Sequence, residues 1–202
     1  MGRLIPAITS DPAVSLDGFI AGPEQDLEHP LGIGGEALHR WQWEQPEENA
    51  AERAAICSAG AYVMGRNMFG PDRGDWDLGW HGWWGDEPPY HGPVFVLGHR
   101  PRDPLEMQGG TTFHFVTGGI EEALGLAREA AGDRHVSICG GASTINQFLA
   151  AGYIDELRLH VAPVVLGAGE SIFRGLDGLA FEVVSSRATS LVTHLTLRRT
   201  RA

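Results

Sequence analysis

The sequence predicts an α/β protein built on a mainly parallel sheet and closed by a C-terminal antiparallel hairpin. Short β-rich apolar runs punctuated by Gly and Pro alternate with segments of helical periodicity, the order that lays helices over a parallel sheet. Beyond about residue 180 that order stops, and two alternating strands follow one another with no helix between them. No shift in composition divides the 202 residues, 43% of them hydrophobic, so 1–202 reads as a single domain able to bury one core.

The strands expected in order are Leu4 to Thr9, Ala61 to Met64, Val94 to Leu97, Thr111 to Val116, His135 to Cys139 and Glu156 to Val161, each short and β-rich. Helical spacing of apolar residues marks Glu47 to Ser58, Ile120 to Ala131 and Ala142 to Ala151 as crossover helices. Glu121 and Glu122 suit the positive end of the second. Phe181 to Arg187 and Leu191 to Arg199 form the closing hairpin around Ala188 to Ser190. Two long irregular stretches remain, Gly22 to Pro46 and Pro71 to Pro93. The second carries Trp76, Trp80, Trp83 and Trp84, a composition foreign to disordered chains, and reads as a folded flap lining a cleft or a partner interface.

Composition excludes several functions. A formal net charge of −11 disfavours the clustered cations that phosphate backbones require, so no nucleic-acid partner is expected. The apolar run from Ile154 to Leu166 is broken by Asp155, Glu156, Arg158 and His160, so no membrane span is expected. The N-terminal residues lack a signal-peptide pattern, and the expected compartment is the cytoplasm. All 15 basic residues are arginines, which rules out lysine chemistry. Cys57 and Cys139 are too few for a zinc pair and read as buried small residues; no metal is expected.

Three strand ends carry the chemistry. Gly140-Gly141-Ala142-Ser143-Thr144 follows a strand and opens a helix, where free N–H groups and closely approachable backbone suit a pyrophosphate. An ordinary strand-to-helix turn capped by Ser or Thr reads the same way. Gly65-Arg66-Asn67 ends a second strand with a guanidinium able to fork onto a phosphate. Gly98-His99-Arg100 ends a third, with two further donors where open α/β sheets bind ligands.

The order of motifs resembles the reductase domain of the bifunctional riboflavin-biosynthesis deaminase-reductase and its stand-alone dihydrofolate-reductase-like relatives. The resemblance is carried by Ser15-Leu16-Asp17-Gly18-Phe19-Ile20-Ala21, Met64-Gly65-Arg66, Gly140-Gly141-Ala142-Ser143, Ile154-Asp155-Glu156-Leu157 and Pro163-Val164-Val165-Leu166-Gly167-Ala168-Gly169. It implies a dihydrofolate-reductase-like three-layer fold, hydride transfer from NADPH to a small-molecule substrate, and a homodimer. It further implies that Gly140 to Thr144 hold the pyrophosphate and that Gly65, Arg66 and Asn67 hold the phosphate region. His99 and Arg100 would meet the 2′-phosphate, with Thr117 near the adenosine and Ser15 to Gly18 near the nicotinamide and substrate.

Asp17 is then the nearest acidic group, a proton source or simply the first half of an Asp-Gly turn. Glu48 is a second acidic candidate, since dihydrofolate reductases use a carboxylate near the start of the helix that precedes the Met-Gly-Arg strand, a region held here by Glu47, Glu48 and Asn49. Cys139 stands where riboflavin reductases carry a substrate-binding glutamate, which argues against the riboflavin intermediate. No deaminase zinc motif occurs. The expected activity is reduction of a pterin-like, pyrimidine-like or xenobiotic compound. The alternatives are a true dihydrofolate reductase and a nucleotide-binding protein without catalysis.

Overall fold

The computed structural model describes residues 6–71 and 74–200; Leu4 and Ile5 of the first expected strand lie outside them. The chain opens with β1 (Ile8–Ser10) and β2 (Ala13–Val14), two pieces of one path that run parallel to the same later strand. Pro12 breaks the path because it has no N–H to give to the ladder. β3 (Phe19–Ala21), α1 (Arg40–Trp43) and α2 (Ala50–Ile56) lead to β4 (Ala61–Gly65). Then come α3 (Arg66–Phe69), β5 (Pro93–Leu97), β6 (Leu105–Glu106), β7 (Thr112–Val116), α4 (Gly119–Ala131), β8 (Val136–Gly140), α5 (Ala142–Ala150) and β9 (Glu156–Val161). β10 (Glu170–Ser171), β11 (Phe181–Ala188) and β12 (Thr193–Arg199) complete the chain.

A ten-stranded sheet runs β11-β12-β9-β1-β8-β4-β5-β7-β6, with β2 beside β9. The strands from β9 through β7 are mutually parallel, while β12, β11 and β6 are antiparallel additions. β3 and β10 form a separate two-stranded ribbon. Alternation along β4 sends Ala61 and Val63 to a core shared with Ala123, Leu124 and Ala127 of α4 and Ile145 and Phe148 of α5. Tyr62 and Met64 face the opposite core with Phe69, Val94, Val96 and Phe113. Each fully buried Ile, Leu or Phe contributes roughly 1.5–3 kcal/mol.

The expected fold class holds, and the structure adjusts several details. Pro6 and Ala7 are not strand, and the hairpin turn falls at Thr189 to Val192, where Thr189 N–H donates to the Val192 carbonyl at 2.8 Å. The first crossover helix is shorter than expected, because the chain before it is held by Asn49 donating to the carbonyls of Trp41 and Gln45. The stretch 22–46 is not irregular throughout: a 3₁₀ helix, Gly35–His39, runs into α1. Cys57 and Cys139 are each partly exposed rather than buried. Trp76, Trp80 and Trp84 pack on the second core, so the tryptophan-rich segment is a layer of the fold. No helix among the described residues is long and apolar enough to cross a membrane.

Candidate active site

β4 and β8 are neighbours, but the chain leaves β4 toward β5 and leaves β8 toward β9. Connections that part in opposite directions open a crevice at the carboxyl ends of adjacent parallel strands. Gly65 ends one of these strands and Gly140 the other. A side chain at Gly65 would overlap Thr144 Oγ, whereas a Cβ on Gly141 would meet nothing within 4 Å. The Gly140–Gly141 peptide is cis. α5 opens directly from Gly141 with no side chain capping it, so its first N–H groups point to the crevice as an uncompensated positive end. These are the features of a cradle for an anion.

The remaining expected residues line the same edge. Arg66 and Asn67 start α3, with Asn67 exposed. Gly98, whose N–H donates to the Val116 carbonyl at 3.0 Å, is followed by exposed His99 and Arg100. Thr117 is exposed at the end of β7. Segment 75–80 crosses this end of the row. The Arg66 guanidinium lies 3.9 Å from the centre of the Trp76 ring and donates to the Asp75 carbonyl at 3.1 Å. Trp76 Nε1 donates to the Arg100 carbonyl at 2.9 Å, and Arg100 pairs with the Asp75 carboxylate. Arg102 donates to the Trp80 carbonyl at 2.9 Å and lies 5.0 Å from the Phe115 ring centre, which ties the segment to the sheet.

At the other end of the row, β2 runs into a tight loop in which buried Ser15 accepts from Phe19 N–H at 2.9 Å. Gly18 takes a positive φ of 86° to close it. Asp17 accepts from the backbone N–H groups of Leu166 at 3.1 Å and Gly167 at 2.7 Å. The Ser15 hydroxyl, followed by those two N–H groups, holds its carboxyl below the usual range. Asp17 is therefore an ionised brace between the Ser15 loop and the turn after β9. Glu48 is not brought to this edge. It is exposed and accepts from Ser190 Oγ at 2.8 Å in the hairpin turn, while its neighbour Asn49 is the residue turned inward.

Asn49 belongs to a buried polar group that the linear sequence did not reveal, with His160, His194 and Trp41. The two histidines are directly opposed on β9 and β12, so only strand pairing unites them. Their lone signal in sequence is a polar residue at an apolar-flanked strand position.

The chain matches the RibD C-terminal domain family over residues 6–195. A segment of 59 residues is 37% identical to the uncharacterized protein YyaP of Bacillus subtilis, spanning 29% of this chain and 31% of that relative. Among solved structures, a protein of Shewanella sp. PV-4 described in terms of riboflavin biosynthesis is 26% identical, covering 96% of this chain and 99% of its own at a TM-score of 0.66. A Thermotoga maritima diaminohydroxyphosphoribosylaminopyrimidine deaminase/5-amino-6-(5-phosphoribosylamino)uracil reductase shares the fold at 15% identity and a TM-score of 0.61; the match covers 96% of this chain and 57% of that one. Dihydrofolate reductase of Enterococcus faecalis, solved with NADP(H), shares it at 16% identity and a TM-score of 0.57, covering 96% and 97%. Glycine-lined crevice, uncapped helix and sheet order agree with a match that spans nearly the whole chain: it belongs to the RibD C-terminal domain family.

Proposed function

We propose that the protein is an NADPH-dependent reductase that passes a hydride to a small pterin-like, pyrimidine-like or xenobiotic acceptor. The observation that carries this reading is the crevice between Gly65 and Gly140–Gly141, open above Gly141 and faced by the uncapped start of α5. Those residues suit a pyrophosphate, with Ala142, Ser143 and Thr144 supplying N–H donors and Arg66 and Asn67 the flank. Bound NADPH would supply the hydride, and the protein's part is to position it and the acceptor. Gly98, His99, Arg100 and Thr117 form the adenosine end of the reading. Asp75 holds Arg100 in this structure, so a 2′-phosphate would take the place of that carboxylate on the guanidinium. Ser15 to Gly18 form the nicotinamide end, with Asp17 holding the loop in shape rather than giving up a proton, since its carboxyl titrates low.

Titration with NADPH and NADH, followed through tryptophan fluorescence, tests the reading. NADPH is expected to bind more tightly. Arg100→Ala should weaken NADPH by about tenfold, the worth of one charge-assisted contact, while leaving NADH within about twofold. Binding of neither nucleotide would end the reading. The true dihydrofolate reductase is disfavoured by the outward position of Glu48. We also infer a cytoplasmic homodimer joined through the exposed β11 edge, where Val183 and Val184 are 67% and 43% exposed; sedimentation of Val183→Glu as a monomer would support it.

A further inference from the structure

Residues 75–80 are held in two different ways. The far part is anchored: Arg102 donates to the carbonyls of Asp77 at 3.4 Å, Leu78 at 3.3 Å and Trp80 at 2.9 Å, and Trp80 Nε1 donates to the Phe69 carbonyl at 2.9 Å. The tip, Asp75-Trp76, reaches the two strand ends of the candidate site instead. Its carboxylate pairs with the Arg100 guanidinium beyond β5, and the Asp75 carbonyl accepts from Arg66 beyond β4 at 3.1 Å. The Trp76 ring lies over the Arg66 guanidinium at 3.9 Å and beside the Phe115 ring at 4.9 Å between centres. A Cβ on Gly98 would lie 3.5 Å from it, so the indole covers the ends of β4, β5 and β7 together.

An anion on one guanidinium and a flat aromatic ring on the next is also what a nucleotide presents, as phosphate and base. The tip therefore has the chemistry of a ligand. It is held weakly at the anion: the Asp75 and Arg100 side chains are 88% and 55% exposed, and water screens a pair so open that it contributes little. A phosphate monoester brings about −1.5 to −2 charges near pH 7 and three acceptor oxygens, against one charge and two oxygens for a carboxylate, and guanidinium forks bind it well. Exchange on Arg100 thus favours the phosphate, while the Arg102 and Trp80 contacts keep the base of the segment in place.

We propose that Asp75-Trp76 is an internal stand-in for the nucleotide, a latch that closes the adenosine end until a 2′-phosphate displaces the carboxylate from Arg100 and the tip swings out about its Arg102–Trp80 anchor. This rests on the reductase reading and deepens it, since Asp75 becomes the residue that sets discrimination between the two nicotinamide nucleotides. NADPH opens the latch by exchanging one anion for another. NADH has no 2′-phosphate to offer Arg100 and meets the tip closed.

The test uses the whole protein labelled with 5-fluorotryptophan, the Trp76 resonance being assigned by its loss in Trp76→Phe. Adenosine 2′,5′-bisphosphate should move that resonance toward the solvent-exposed position. Asp75→Asn, a change at an exposed side chain, should move it part of the way with no ligand present and tighten the bisphosphate and NADPH by about fivefold, the upper worth of an exposed ion pair. NADH should change by less than about twofold. A Trp76 resonance unmoved by the bisphosphate, equal NADPH affinity in the two proteins, or equal tightening of NADPH and NADH overturns the proposal. NADPH binding with a silent Trp76 sinks this inference alone. A bisphosphate that opens the latch and gains from Asp75→Asn, in a protein that binds no NADPH, upholds the latch and sinks the reductase reading alone.

Discussion

At the scale of single residues, the site depends on side chains that are missing as much as on those present. Gly65 touches α5 so closely that a methyl group there would run into Thr144 Oγ. Gly65→Ala should therefore cost about 1–3 kcal/mol, the usual penalty of overpacking, and lower the urea midpoint. Adding Thr144→Ala should recover part of the loss, because the two changes share one space. An unchanged midpoint in the single variant would mean that α5 shifts freely and the crevice is softer than its contacts suggest. The glycines themselves were legible in sequence as punctuation at strand ends. Their partners were not, since Gly65 and Thr144 are 79 positions apart, a separation closed only by the β4–β8 pairing. Asp17 is similar: the sequence offered a proton source or the first half of an Asp-Gly turn, and the hydrogen bonds from the N–H groups of Leu166 and Gly167, about 150 positions away, were visible only in the fold.

Among the elements, the tryptophan-rich segment changes meaning most. Its composition pointed to a folded cover, and its packing on Phe69 through Trp76 and on Phe113 through Trp84 makes it part of the second core. Its link to the candidate site runs through Arg102, which reaches the carbonyls of Asp77, Leu78 and Trp80 and lies over aromatic rings. Arg102→Ala should release the segment before the sheet unfolds, because local opening follows the weakest tether. Limited proteolysis would then cut between residues 75 and 84 at denaturant concentrations that leave the circular dichroism of the fold intact. Cleavage only in step with global unfolding would show that the tryptophans alone hold the segment. The strands of the parallel core were legible to within a residue or two, as at β4, β5 and β9, because each is a short apolar run bounded by turn residues. The two-residue strands β2, β6 and β10 were not, since so short a run has no period to detect.

For the molecule as a whole, two histidines, the buried His160 and the half-buried His39, set an acid limit. Burial holds His160 to about 3 and His39 to about 4, against 6.5 when unfolded. Below pH 6.5 the unfolded chain therefore binds protons that the native state refuses, and stability falls as pH falls. From pH 7 to 5 these two residues should cost roughly 2–4 kcal/mol, even though the net charge shrinks toward the isoelectric point near 5.2. Carboxylates held low, such as Asp17 and Glu52, add their loss only at pH values below about 4. Urea midpoints at pH 7 and 5 check this, and equal midpoints would mean that the histidines titrate normally in the native state. By itself the sequence determined the α/β class, the parallel core, the closing hairpin and the glycine-marked strand ends, because periodicity and turn chemistry are local properties of the chain. Only the tertiary structure decided that Arg66 meets Trp76, that Glu48 turns outward while Asn49 turns in, and that His160 and His194 face each other in the interior. Those outcomes depend on strand order and register, which bring together residues that no local pattern relates.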